Sequence, residues 1–156
     1  MAAAAIAFAV VVQQRLPQPA PVLDASFVAA WSRDPVDLPT VVPTAVGLVV
    51  LAGAPATTTP LPGGNSLASQ LRIVAQLISV SQELGAKRQV FFVSLGGFDN
   101  HDSILTDHPT LMTRLGAAMR YFHDVCAELG VLDRVTAFTG SDFGRTLTSN
   151  ANGSDH

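Results

Sequence analysis

Two short segments with the composition of strands, separated by a helix-length segment, constrain the fold of this chain most strongly. The first covers residues 89–95 and the second residues 134–139, and each is followed by glycine and then by aspartate. The apolar run at 89–95 is typical of a strand that is covered on both faces, and parallel strands need a crossover connection. The pattern therefore predicts an α/β fold with two parallel neighbouring strands, whose following loops leave the same edge of the sheet.

Apolar residues at intervals of three and four predict one helix before the first strand and one after it. The first is expected from Asn65 or Ser66 to about Leu84, with Gly85 as its end. The second is expected to have Asp107 as its cap, Pro109 in its first turn and Gly130 at its end. Its buried face is predicted to consist of Leu111, Leu115, Ala118, Met119, Phe122, Cys126 and Leu129.

Residues 1–62 differ from the rest of the chain. They contain nine of the ten prolines, and only five of the 21 charged residues lie in the first 60. Repeated prolines exclude long helices and confine strands to edges or short pieces, such as 41–42 and 46–51. We therefore divide the chain into an irregular Pro-rich lead-in or partial domain, 1–62, and an α/β core fragment, 63–156. The apolar run at residues 1–12 is interpreted as a buried helix or strand piece.

Composition excludes several classes of function. The net charge is -3 and no large basic cluster is present, which argues against nucleic acid as a partner. The N-terminal apolar run falls short of the about 20 residues that span a bilayer, so no membrane span is expected. One cysteine, Cys126, excludes an internal disulfide. The chain has no nucleophile elbow, phosphate-binding P-loop or dinucleotide fingerprint, which disfavours serine hydrolases, nucleotide hydrolases and nicotinamide enzymes.

The loops that follow the two strands carry the candidate ligands for a metal ion. Asp99 and His101 are two residues apart, so an extended segment places both side chains on one side. Asp142 follows the second strand at the same predicted edge, and mixed oxygen and nitrogen ligands suit Zn²⁺, Mn²⁺ or Fe. The alternative is a turn-capping aspartate beside an exposed histidine. Arg145 is a candidate anion-binding residue, with an ion pair to Asp142 as the alternative.

Six stretches of the sequence also carry a family resemblance. They are residues 66–71, 74–78, 88–101, 133–138, 141–147 and 153–156. From about Pro60 onward the chain resembles a bacterial family catalogued as domain of unknown function 1501. The run Phe-Phe-Val-Ser-Leu-Gly-Gly-Phe-Asp and the later Ser-Asp-Phe-Gly-Arg-Thr are its most specific parts. Asn100 stands where threonine is usual in that family.

The family looks like a distant branch of the alkaline phosphatase and sulfatase superfamily, and this resemblance implies a function. It implies a mostly parallel sheet with crossover helices and a divalent metal, Zn, Mn or Ca, used to hydrolyse phosphate or sulfate esters. The positions to test as metal ligands are then Asp99, His101, Asp142, Asp155 and His156. Many relatives carry a twin-arginine export signal, which implies a periplasmic or extracellular location.

The sequence also departs from the family pattern. The half expected to supply the nucleophile is not recognisable in residues 1–60, and the chain stops within the Gly-Ser-Asp-His motif at 153–156. We therefore expect a fragment that contributes a metal site for ester hydrolysis but is inactive by itself. The alternative is a non-catalytic, exported α/β binding or scaffold protein. Exposed sheet edges predict self-association of such a fragment.

Overall fold

The computed structural model describes residues 5–13, 54–82, 84 and 87–155 of the chain. Its elements are strand β1 (Ala5–Gln13), helix α1 (Ser66–Ser79), strand β2 (Arg88–Gly96), helix α2 (Ile104–Glu128), a 3₁₀ turn (Leu132–Arg134) and strand β3 (Val135–Ser141). The strands predicted at 41–42 and 46–51 lie outside the described residues, as does His156. The division at residue 62 stays a prediction.

The described strands form a three-stranded sheet in the order β2-β1-β3, with β1 antiparallel to both neighbours. The fold is thus of the mixed α/β kind, but the prediction of a mostly parallel sheet with β2 and β3 as neighbours is wrong. The apolar run near the N-terminus enters the sheet as a strand between them, where Ala9 lies opposite both Phe92 and Phe138. Val10 in this strand is completely buried. Burial of its apolar side chain stabilises the position of β1 between β2 and β3.

Helix α1 begins as the sequence predicts. The side chain of Asn65 accepts a hydrogen bond from the main-chain N–H of Ala68 at 3.1 Å, which satisfies one of the free amides of the first turn. The Asn65 amide group also donates to the carbonyl of Arg114 in α2, at 2.7 Å. The helix ends at Ser79, earlier than the predicted Leu84, and residues 80–82 continue as a turn.

Helix α2 begins earlier than predicted. Its N-cap is Ser103, not Asp107, because the Ser103 carbonyl accepts hydrogen bonds from the main-chain amides of Thr106 and Asp107, both at 3.0 Å. Asp107 lies in the first turn instead, where a negative charge favours the helix dipole. The helix is followed by Gly130 with φ of 66°, a left-handed conformation in which glycine commonly ends a helix.

Both helices pack on one face of the sheet and form a single core with it. The largest completely buried side chains are Leu67, Leu71, Val10, Val125 and Cys126. Cys126 is 1% exposed, which confirms the prediction that it lies on the buried face of α2. This burial raises the pKa of its thiol to about 12. Met119 was predicted on this face but is exposed instead.

The segment that precedes α1 is attached to the end of α2 by one carboxylate. Glu128 accepts hydrogen bonds from the main-chain amides of Thr58 and Thr59 and from the Thr59 hydroxyl. These donors lower the pKa of Glu128 to about 2. In the described part of the chain, neither helix has the length and apolar character needed to cross a membrane.

Candidate functional site

The predicted site residues follow strands that end at one edge of the sheet. Gly96 at the end of β2 lies opposite Ala5, and Ser141 at the end of β3 lies opposite Ile6. Since each strand is antiparallel to β1, β2 and β3 run in the same direction although they are not neighbours. Their following loops, residues 97–103 and 142–155, meet at this edge, and we call them together the loop corner.

A histidine between two carboxylates forms the centre of the loop corner. His101 Nε2 lies 2.8 Å from Asp99 Oδ1, and His101 Nδ1 lies 2.9 Å from Asp155 Oδ1. The hydrogen bond to Asp155 and the charge of Asp99 raise the pKa of His101 above its ordinary value. All three side chains are substantially exposed, so water and ions reach them.

Asp155 is brought to His101 by a compact turn near the end of the chain. Asn150 Oδ1 accepts from the main-chain amide of Asn152 at 3.3 Å, which closes an Asx turn, and from that of Gly153 at 2.7 Å. The Asn150 amide group donates to the carbonyl of His101 at 2.9 Å and to Asp155 Oδ1 at 3.2 Å. The main-chain amide of Thr146 donates to the carbonyl of Asp155 at 2.8 Å. The turn thus fixes both the backbone and the carboxylate of Asp155.

Gly153 lies directly against the backbone of the first loop. A Cβ atom at this position would lie 2.3 Å from the carbonyl oxygen of His101 and 2.7 Å from that of Asn100. Such distances are far below van der Waals contact, and the obstructing atoms are backbone. Glycine is therefore required here so that the two loops can approach closely enough for Asp155 to reach His101.

Arg145 connects the two loops through main-chain carbonyls. Its Nη1 donates to the carbonyls of Ser154 at 2.5 Å and Asn100 at 3.1 Å, and its Nη2 donates to the carbonyl of Phe98. The guanidinium carbon also lies 5.3 Å from the centre of the Phe143 ring, a cation–π contact. The structure thus uses this guanidinium to hold the backbone of the loop corner, while anion binding by Arg145 stays a prediction.

The remaining predicted ligands are less closely gathered. Asp142 follows β3 immediately and is exposed at the same edge, whereas His156 lies outside the described residues. Among residues 5–13, 54–82, 84 and 87–155, no group of three or more His, Cys, Asp or Glu side chains is arranged around one point as metal ligands. The carboxylates of Asp99 and Asp155 contact different nitrogens of the His101 ring, so the three side chains do not direct their ligand atoms at one common point.

Sequence reasoning missed the residues that assemble the loop corner. Asn150 was not singled out from the sequence, although an asparagine in a loop can bond the main-chain amide two residues on and so close an Asx turn. Gly153 entered only through the family motif, because no pattern in one sequence reveals which backbone will lie against a glycine.

Asn100 is buried, donates to the carbonyl of Gly97 at 3.1 Å and leaves its Oδ1 without a hydrogen bond from the described residues.

Comparison with known proteins identifies the family but adds no relative with an established activity. No curated protein and no solved structure matches the chain. A sequence model of one protein family matches residues 41–156. This range includes both helices, β2, β3 and the entire loop corner, while β1 lies before it. Since the match covers most of the chain, the protein belongs to the family described as "Protein of unknown function (DUF1501)".

Proposed function

We propose that the loop corner is the metal-binding part of a phosphate or sulfate ester hydrolase-like domain. The observation that carries this proposal is His101, with Asp99 at Nε2 and Asp155 at Nδ1. Histidines that bind metals commonly donate their other ring N–H to a carboxylate, which fixes the tautomer and the orientation of the ring. His101 and Asp155 have the composition and contact of such a pair.

The two carboxylates then have different roles. Asp155 would accept a hydrogen bond from the Nδ1–H of His101 and orient the ring. Nε2 would then face the cation together with Asp99 Oδ1. These two atoms are 2.8 Å apart, so a modest separation would let both bind one ion at the about 2.0–2.2 Å typical of Zn²⁺. Asp142 and His156 are the candidate further ligands, Asp142 because it follows β3 at the same edge.

The other residues of the loop corner hold these donors in place. Arg145 fixes the backbone on both sides of Asp99 through the carbonyls of Phe98 and Asn100. Gly153 allows the second loop to lie against His101. When bound, a divalent ion supplies Lewis acidity toward an ester oxygen. The likeness to the alkaline phosphatase and sulfatase superfamily supports phosphate or sulfate esters as the substrate class and an exported location.

A second candidate function is a non-catalytic binding or scaffold protein with the same fold. The observation that favours it is Arg145, whose guanidinium donates to three main-chain carbonyls and so contributes to structure. The same fold can serve either function. A measurement of metal binding distinguishes the two.

The test is metal content measured by elemental analysis after loading with Zn²⁺ or Mn²⁺ and dialysis. Near-stoichiometric metal is expected in the wild type, with loss in the Asp99→Ala, Asp142→Ala double variant. An Asp155→Asn variant should retain the site with affinity reduced about 10–100-fold, as for other outer-shell partners. Asp133→Ala, in the 3₁₀ turn, is the matched control. Absence of metal from the wild type, or its full retention in the double variant, would refute the metal site.

A further inference from the structure

The second loop of the loop corner, residues 142–155, lies mostly at the surface. Most of its residues are exposed, Leu147 among them, whereas Phe143 is partly buried and packs against the core. Segments with little buried apolar surface open locally at a lower free energy than core helices and strands. The order of this loop should therefore depend strongly on its polar contacts.

Three residues of the second loop contact His101 in the first loop, residues 97–103. The amide group of Asn150 donates to the His101 carbonyl at 2.9 Å, and Gly153 lies against the same carbonyl. The Asp155 carboxylate contacts His101 Nδ1, also at 2.9 Å. The second loop therefore contacts both the backbone and the ring of His101.

Two more hydrogen bonds join the second loop to its surroundings through main-chain groups. Arg145 Nη1 donates to the carbonyl of Asn100 at 3.1 Å, and the main-chain amide of Ile104 donates to the carbonyl of Asn152 at 3.2 Å. These bonds set the backbone frame of the two loops. The contact from Asp155, in contrast, ends on the ring that is proposed to face a cation.

The closed conformation of the second loop also contains a strained residue. Ala151 has φ of 85°, a region in which a residue with a Cβ atom is disfavoured. It lies in the turn in which Asn150 Oδ1 accepts from the main-chain amides of Asn152 and Gly153. The contacts of the closed loop must offset this strain, so an interaction that strengthens one of them favours the closed conformation.

A cation at His101 Nε2 would strengthen the contact with Asp155. A neutral imidazole carries one proton, on either Nδ1 or Nε2. Asp155 at Nδ1 and Asp99 at Nε2 therefore compete for one hydrogen-bond donor when no cation is bound. A cation at Nε2 leaves the proton on Nδ1, where Asp155 accepts the hydrogen bond. The cation thus selects the tautomer that bonds to the second loop.

We propose that metal binding orders the second loop, so that residues 142–155 close more firmly on His101 when a divalent cation lies at Nε2. This coupling rests on the proposed metal site. Since binding and closure are linked, the closed loop raises the affinity for the cation by the same factor by which the cation favours closure. The second loop thus regulates the retention of the metal ion.

Amide hydrogen exchange with and without Zn²⁺, at a pH above the pKa of His101, tests the ordering of the loop. The amides of Thr146 and Gly153 report on the closed loop, because they donate to the Asp155 carbonyl and to Asn150 Oδ1. Their exchange should slow by about 5–150-fold when Zn²⁺ is bound, the usual range of such coupling. The amides of Thr58 and Thr59, which bind Glu128 at the opposite end of α2, should exchange at an unchanged rate.

The Zn²⁺ affinity of loop variants tests the coupling in the reverse direction. Asn150→Ala removes the hydrogen bond to the His101 carbonyl, and Gly153→Ala forces the two loops apart, although neither residue is a proposed ligand. Each variant should bind Zn²⁺ more weakly, by up to the factor measured by exchange. Thr148→Ala, at an exposed position of the same loop, is the matched control and should bind Zn²⁺ as the wild type does. Circular dichroism establishes that each variant is folded.

The metal site and the coupling fail in different ways. Absence of bound Zn²⁺ from the wild type would refute the metal site and the coupling together. Stoichiometric Zn²⁺ with unchanged exchange at Thr146 and Gly153, or with full affinity in both variants, would overturn the coupling and leave the metal site in place. Slower exchange together with weaker binding in both variants would establish that the second loop and the metal ion stabilise each other.

Discussion

The apolar core and the loop corner are stabilised by different kinds of interaction. The core lies between the helices and one face of the sheet and contains side chains such as Leu67, Leu71 and Val125, each with no exposed surface. The loop corner is exposed and depends on hydrogen bonds from Arg145 and Asn150 together with one close backbone approach. Many interchangeable apolar contacts stabilise the first region, whereas a few individually required residues stabilise the second.

Because of this difference, the apolar core and the loop corner should respond differently to substitution. Burial of apolar area is non-directional and roughly proportional to area, so a core accepts conservative changes if volume is preserved. The positions of His101 and Asp155 instead depend on directed hydrogen bonds, which weaken steeply when their geometry changes. Substitutions in the core should therefore affect the whole molecule, and substitutions in the loop corner should affect the site first.

The largest expected effect is a loss of stability caused by a substitution in the apolar core. Leu71→Ala should reduce the free energy of unfolding by about 2–5 kcal/mol, because it removes a fully buried side chain and leaves a cavity. Urea unfolding followed by circular dichroism measures the change. Ile73→Ala, two residues away and largely exposed, should cost less than about 1 kcal/mol. Similar losses for the two variants would show that α1 does not pack as described.

The next effect should break the loop corner while leaving the core intact. Gly153→Ala places a methyl group against the carbonyls of His101 and Asn100, so the second loop must move away and Asp155 must lose its contact with His101. NMR should show changed His101 ring signals and faster amide exchange in residues 97–103. Gly144→Ala is the matched control, since its Cβ meets nothing within 4 Å. Unchanged His101 signals in Gly153→Ala would contradict the close approach.

A subtler change tests the connection made by Arg145. Arg145→Lys preserves the charge but loses the planar fork that reaches the carbonyls of Phe98, Asn100 and Ser154. Local opening of the loop corner should become easier by about 1.5–3 kcal/mol, the usual contribution of hydrogen bonds to a charged group. Native-state hydrogen exchange measures this opening, and protection of α1 should not change. Arg114→Lys, on α2, provides the comparison, and equal effects in both variants would argue against the connection.

The smallest effect concerns protonation of the site itself. The pKa of His101 is raised by the hydrogen bond to Asp155 and by the charge of Asp99, and Asp155→Asn should lower it measurably in an NMR titration. Because the folded pKa lies above the unfolded value, this contact contributes stability below about pH 6.5, and the contribution is lost as pH rises through the folded pKa. An unaltered His101 pKa in Asp155→Asn would show that the contact is not made in solution.

Local sequence patterns predicted the elements more accurately than their arrangement. The cap at Asn65, the helix end at Gly130 and the strands near 89–95 and 134–139 follow from side-chain spacing and backbone preference. The end of α1 and the start of α2 were displaced by a few residues. The start of α2 was missed because Ser103 becomes the cap in the context of the loop corner, where the amide of Ile104 also donates to the carbonyl of Asn152.

The sequence by itself determined the α/β class, the main core residues and the presence of Asp99 and Asp142 after strands with the same direction. These depend on local periodicity, which each segment carries independently of its partners. Only the tertiary structure decided that β1 lies between β2 and β3, and that Asp155 lies on His101. Strand order and loop contacts join residues far apart in the chain, and their free energy depends on which surfaces meet. No short window of sequence contains that information.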